Sequence, residues 1–180
     1  HKAQRLGIKA EPFKDELAPS LKEQYTGIGG KILTSLTSYV VLEQRECDEG
    51  IPLESLIEVP PVAPVENMFY LLSTPEKEIT NEHIIVRYSK GRLLPLKYYR
   101  DFCPDGYKAM NDEQKMMMEC LLAPADIAPL VIIKGTAGSG KTYAAIAAAL
   151  ENIEKYNSIP KNIGHYREFL VSAPVVEMVQ

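Results

Sequence analysis

The hydrophobic positions of this 180-residue chain change rhythm near residue 105. Before it they come in short runs rich in Ile, Val, Tyr and Thr, residues that suit a pleated, half-buried strand. Ile32 to Leu42 predicts one strand and Asn67 to Ser73 another. His83 to Ser89 alternates, with Ile85, Arg87 and Ser89 on one face and Ile84, Val86 and Tyr88 on the other. Ser89-Lys90-Gly91 is a hairpin turn signal, and Arg92 to Tyr98 is the returning strand. Pro52 and the cluster Pro60-Pro61-Val62-Ala63-Pro64 leave room only for short edge strands. Thr74 to Asn81 reads as a polar turn. Residues 31–105 are therefore expected to form a small, mostly β module, a barrel or curled sheet. Residues 1–30 carry charges, Pro12, Pro19 and the turn signal Thr26-Gly27-Ile28-Gly29-Gly30. They read as the tail of a preceding domain or a linker, with a short helix between Pro12 and Gln24.

Beyond residue 105 the pattern becomes helical stripes and one continuous apolar run. Asn111 to Ala123 predicts a helix: Asn111 is a good N-cap, Asp112 and Glu113 suit the positive helix end, and Met117, Met118, Cys120, Leu121 and Leu122 supply an apolar face. Pro124 and Pro129 stop it. Leu130-Val131-Ile132-Ile133 then reads as a strand buried on both faces of a parallel sheet. Lys141 to Glu154 is an alanine-rich helix, thin enough to lie close against such a sheet. Tyr156 to Tyr166 is a polar connection, and Glu168 to Ser172 is the next parallel strand, ended by Ala173-Pro174. Strand, helix, strand makes one right-handed βαβ unit. The expected fold class is α/β: an incomplete phosphate-loop NTPase domain with a parallel sheet, residues 106–180, preceded by the β module.

Between that strand and that helix lies Gly135-Thr136-Ala137-Gly138-Ser139-Gly140-Lys141-Thr142, a G-x-x-x-x-G-K-[ST] phosphate-binding (Walker A) loop in the context the motif requires. Glycines let the backbone curl around phosphate oxygens, and the helix behind adds its positive dipole end. Lys141 is expected to reach the β- and γ-phosphates of ATP, and the Thr142 hydroxyl to ligate Mg2+. Ligands of such sheets bind at the carboxyl ends of strands, which puts Ala173 to Met178 beside the loop.

Composition narrows the class little. Hydrophobic residues are 46% and charged residues 24%, ordinary for a globular chain. No stretch has the length and apolarity of a membrane span or a signal peptide. Cys47, Cys103 and Cys120 form no disulfide or zinc pattern, which fits a reducing, cytoplasmic setting. A net charge of −4 gives no footprint of nucleic-acid binding, though a local basic groove is compatible with it. Arg92, Lys97, Tyr98, Tyr99, Arg100, Tyr107 and Lys108 interleave aromatic and basic types, a mixture that can stack on single-stranded nucleic acid. The plainer reading, which we favour, is that these aromatics glue the β module to the next domain. Gln114 also has two readings: half of a capping box on Asn111, or an adenine reader, since its amide offers one donor and one acceptor.

Asn111-x-x-Gln114, Pro129-Leu130-Val131, Gly138-Ser139-Gly140-Lys141-Thr142 and Val171-Ser172-Ala173-Pro174-Val175-Val176 together resemble the PhoH family, over about residues 106–180. Leu6-Gly7-Ile8, Tyr25-Thr26-Gly27 and Asn67-Met68-Phe69-Tyr70-Leu71-Leu72 resemble, less tightly, the region joining a PIN nuclease domain to the ATPase domain in PIN–PhoH fusions. The resemblance implies an ATPase related to the core of superfamily-one helicases, acting on RNA, with RNA cleavage by the PIN part of the full protein. It also implies that Gln114 reads adenine, and it is compatible with a ring-like homo-oligomer. The chain departs from the family at Ala173, where members usually carry Arg. The acidic residue that holds Mg2+ from a later strand is not recognisable, and the chain neither begins with Met nor runs far past its second expected nucleotide-domain strand, so it is expected to be a piece of a longer protein. From other classes, a nucleotide-binding regulatory or scaffold module without turnover, and a small-molecule kinase or GTPase, share the loop. Gln114 argues for adenine over guanine, and the β module argues against a plain kinase.

Overall fold

The structure, a computed structural model, describes residues 27–44, 48–99, 107–136, 138–158, 166 and 168–172. The helix expected between Pro12 and Gln24 lies outside these residues. The β module is a mixed five-stranded sheet in the order β1-β3-β4-β5-β2, formed by β1 (Ile28–Leu33), β2 (Ile51–Pro52), β3 (Phe69–Ser73), β4 (Ile84–Ser89) and β5 (Arg92–Pro95). β1 pairs parallel to β3 and the other pairs are antiparallel. Together with helices it makes an α/β fold, an open sheet rather than a closed barrel.

The alternation along β4 is realised. Val86 sits with Tyr70, Leu72 and Leu93 in one core, and Ile85 sits with Phe69 and Met116 in another. The β4–β5 turn has both central residues at positive φ, Lys90 at 49° and Gly91 at 82°, the twist that a two-residue hairpin needs. The turn signal around Gly29-Gly30 is instead a bulged strand. The β1–β3 register shifts between Ile28 and Lys31, and a Cβ on Gly29 would lie 2.1 Å from the Tyr70 ring. Glycine there lets the backbone close over a fully buried tyrosine, whose hydroxyl donates to the Val62 carbonyl at 2.8 Å.

Two segments correct the sequence reading. The strand expected over Ile32 to Leu42 is strand only through Leu33. Leu36–Glu43 is a helix, α1, capped by Ser35, whose hydroxyl accepts from the Ser38 N–H at 3.3 Å. Tyr39 and Leu42, three apart, bury one side of it, so tertiary packing overrides the β preference of Thr, Tyr and Val. The polar turn at Thr74 to Asn81 contains a short helix, α2 (Pro75–Ile79), with Thr74 as N-cap and Pro75 at its first position.

Asp112–Leu122 forms α3 as expected, with the Asn111 side chain accepting from the Gln114 N–H at 2.9 Å. Met116 and half-buried Cys120 join the sheet core containing Phe69 and Ile85. Met118 and Leu122 join Tyr99, Tyr107 and Ala109 against Ala144, Ala147 and Ala148 of α4 (Lys141–Ser158). α3 is thus shared between the β module and the helix behind the phosphate loop. At its centre Glu119, 0% exposed, accepts the backbone N–H groups of Lys97, Tyr98 and Tyr99 at 3.0, 2.8 and 2.7 Å. Arg87, also buried, lies with Nε 3.8 Å from the same carboxylate. Its Nη1 donates to Asn67 Oδ1 at 2.8 Å, and Asn67 Nδ2 donates to the Ile127 carbonyl at 2.8 Å.

The strands expected at Leu130 to Lys134 and Glu168 to Ser172 are not paired among the described residues, so the βαβ unit is not formed there. Leu130, Ile132, Leu170 and Val171 are 78, 74, 88 and 74% exposed. A strand exists by virtue of its ladder partner, and an apolar run without one stays extended and uncovered.

Glu119→Ala would leave the N–H groups of Lys97, Tyr98 and Tyr99 without their acceptor and the buried Arg87 guanidinium without its counter-charge. It is expected to cost about 3–5 kcal/mol in denaturant melts, and a loss under about 1 kcal/mol would contradict the role given to the clamp. Burial pushes the Glu119 carboxyl up from its ordinary 4.5, against the lowering pull of the three backbone bonds and Arg87. A raised native pKa favours the fold most at low pH, and that contribution is lost as pH rises from 4.5 through the native value. The stability of the wild type relative to Glu119→Gln is therefore expected to grow as pH is lowered through that window. A gap independent of pH would contradict it.

Candidate functional site

The phosphate loop runs into α4, whose first internal bond is Ala144 N–H to the Gly140 carbonyl at 2.9 Å. Gly138 and Gly140 hold φ of 78° and 80°, a left-handed backbone that side chains rarely adopt, and these two positions are what the glycine spacing of the motif provides for. The loop closes on its own lysine. Lys141 Nζ donates to the Gly135 carbonyl at 3.0 Å, the Thr136 carbonyl at 2.6 Å and Ser139 Oγ at 3.1 Å. A Cβ on Gly135 would lie 3.2 Å from Ser139 Oγ, so the turn is tight at its start as well. Ala137 lies outside the described residues. Thr142 is exposed in the first turn of α4.

These residues fit a nucleotide phosphate. The ammonium is already at the loop and among the described residues is held by neutral oxygens, which a phosphate would replace with charged acceptors in bonds about twice as strong. Among the described residues no group of three or more His, Cys, Asp and Glu side chains is placed to hold a metal. The Thr142 hydroxyl, exposed beside the loop, is a group that could ligate a magnesium ion.

Gln114 serves as a cap in this structure, with a departure from the expected box. Its Oε1 accepts the N–H of Met110, at 2.7 Å, rather than that of Asn111. This bond fixes which way the amide faces, because a flipped NH2 would meet a backbone donor. The oxygen keeps a second lone pair, and the Nε2 group makes no hydrogen bond among the described residues, so an acceptor and a donor remain side by side. Gln114 and the loop are carried on neighbouring helices. α3 packs on α4 through Met118 and Leu122, and the Tyr107 ring lies 5.6 Å from that of Tyr143, two residues after Lys141.

The aromatic-basic stretch is used for packing. Tyr99 and Tyr107 are buried in the α3–α4 core and Tyr98 packs against it. Lys97 pairs with Asp48 at 2.8 Å, and Arg92 donates to the Gly50 carbonyl. Arg100 lies outside the described residues. Sequence reasoning missed the polar residues that hold α3. Glu119 stands between Met116 and Leu122 at three-residue spacing on the buried stripe, and a carboxylate inside such a stripe is a signal of an internal partner. His83, whose Nε2 lies 2.7 Å from Asp112 Oδ2, carried no such signal. The His83 and Lys115 hydrogen bonds hold the Asp112 carboxyl below its ordinary value, although burial raises it.

No family model and no solved structure matches the chain. Among curated proteins it is similar to Protein PhoH2 of Bacillus subtilis (strain 168), with 29% identity over 175 residues. The match covers 97% of this chain and 36% of that relative, so the chain spans about a third of the length of the protein it resembles. The similarity extends through the β module as well as the phosphate loop. No helix among the described residues is long and apolar enough to cross a membrane. The match runs through nearly all of this chain and is that of a distant relative.

Proposed function

We propose that the chain is the nucleotide-binding portion of a PhoH-type ATPase that acts on RNA, coupled in the whole protein to a PIN ribonuclease. The observation that carries the nucleotide part is the pairing of the lysine-closed loop on α4 with an oriented amide, Gln114, on the helix packed against it. Lys141 would hold the β- and γ-phosphates, Thr142 would carry Mg2+, and Gln114 would accept from the adenine amino group while donating to the neighbouring ring nitrogen. Guanine presents two acceptors at the corresponding edge, so a fixed amide satisfies only one of them. When bound, Mg2+ would supply charge neutralisation at the phosphates. The RNA and PIN parts of the reading rest on the family resemblance.

A second reading is nucleotide binding without turnover, which uses the same loop. The two separate in an assay of the full-length protein: ATP hydrolysis stimulated by RNA supports the ATPase reading, and background turnover unchanged by RNA supports the regulatory one.

Lys141→Ala is expected to weaken ATP binding by roughly 10–100-fold, the size of a lost charged hydrogen-bond contact of about 1.5–3 kcal/mol. Unchanged affinity in a calorimetric titration would remove the phosphate assignment. Gln114→Ala is expected to reduce the preference for ATP over GTP by about fivefold, one net hydrogen bond of about 1 kcal/mol. An unaltered preference in a variant of normal helicity would return Gln114 to a purely capping role.

A further inference from the structure

α3 is gripped by the sheet side of the molecule at three places along its length. At its first residue, His83, just before β4, meets Asp112 at 2.7 Å. In its third turn, Glu119 takes the backbone of residues 97–99 beside Arg87 of β4. Past its end, Asn67 holds the Ile127 carbonyl and is itself held by Arg87. None of these groups belongs to the phosphate loop. The opposite side of α3 lies on α4, where the contact is made by Met118, Leu122 and three alanines. Close packing of these side chains carries α3 and α4 together, but apolar contacts are non-directional and do not by themselves choose the orientation of the amide. Directional bonds fix orientation, and here they come from the β module.

We infer that His83 and Asn67 are positioning residues for base recognition: the β module is a jig that sets where Gln114 stands relative to Lys141. The inference deepens the nucleotide reading above and rests on Gln114 contacting the base. His83 acts closest, two residues before Gln114 through Asp112. Asn67 acts from the far end, where its bond stops the segment after α3 from swinging. Both residues sit away from the loop, so their loss changes the placement of the amide and not the phosphate contacts. Asn67 holds φ of 65°, which a glycine adopts freely, so Asn67→Gly removes the two side-chain bonds without straining the backbone. His83 is partly exposed, and Asp112 keeps its 3.0 Å pair with Lys115 when the imidazole is removed.

The test compares binding of ATP and of inorganic tripolyphosphate, each with Mg2+, to the full-length protein and its variants. The ratio of the two affinities reports the nucleoside's contribution, and tripolyphosphate alone reports the loop. His83→Ala and Asn67→Gly are expected to cut the ratio by about threefold to tenfold, the range of couplings carried through packed elements, with tripolyphosphate affinity unchanged. Gln114→Ala is expected to do the same. If Gln114→Ala lowers the ratio and the two positioning variants do not, the inference fails and the reading of Gln114 stands. A parallel loss of both ligands in His83→Ala and Asn67→Gly would show general loosening and also overturn it. A ratio unmoved by Gln114→Ala would overturn the base reading and this inference together.

Discussion

A buried carboxylate organises the described part of the molecule. Burying a charge costs several kcal/mol unless partners offset it, and Glu119 meets three backbone N–H groups and an arginine with no exposure to water. Because the donors are consecutive, the carboxylate dictates the path of the chain leaving β5. That path delivers Tyr99 into the core shared with the alanines of α4. The same arginine reaches Asn67, and Asn67 reaches the turn after α3. One polar network therefore decides how the β module and α3 are joined, while apolar contacts carry α3 on to the phosphate-loop helix.

The phosphate loop takes its character from a different constraint. A glycine-rich turn with two left-handed residues is small enough to be closed by one lysine, and Lys141 satisfies itself on the loop's own oxygens. A nucleotide phosphate offers the ammonium better acceptors without requiring a long movement. Gln114 is likewise held before any ligand arrives, by a backbone donor that fixes its amide. Groups held in advance lose less freedom on binding, which is the sense in which such a site is prepared.

The elements that could be read from the sequence are those whose local chemistry agrees with their surroundings. β4 alternates because its two faces meet two cores, and α3 begins at Asn111 because the cap is local. The helix after the loop follows from its alanines. What could not be read depends on contacts far along the chain. Thr37, Tyr39 and Val40 favour a strand, yet burial of Tyr39 and Leu42 makes a helix of them. Gly29 looked like part of a turn because nothing nearby announces the Tyr70 ring beneath it. The expected strands at 130–134 and 168–172 had the right composition, and among the described residues they have no strand to pair with. At the site, the loop was fully legible as a motif. The capping role of Gln114 was half legible: the sequence pointed to the Asn111 N–H, and the donor is the Met110 N–H. Glu119 was not singled out, because a charge on a helix is usually counted as facing water.

The central claim, that this chain holds a working phosphate cradle beside an oriented base reader, is tested most directly by amide hydrogen exchange with and without ATP and Mg2+. The account predicts slowed exchange from Gly135 to Thr142 and at Met110, whose N–H carries Gln114, with exchange in β3 and β4 unchanged. Exchange at the loop that ATP leaves untouched, or protection confined to the β module, would contradict it.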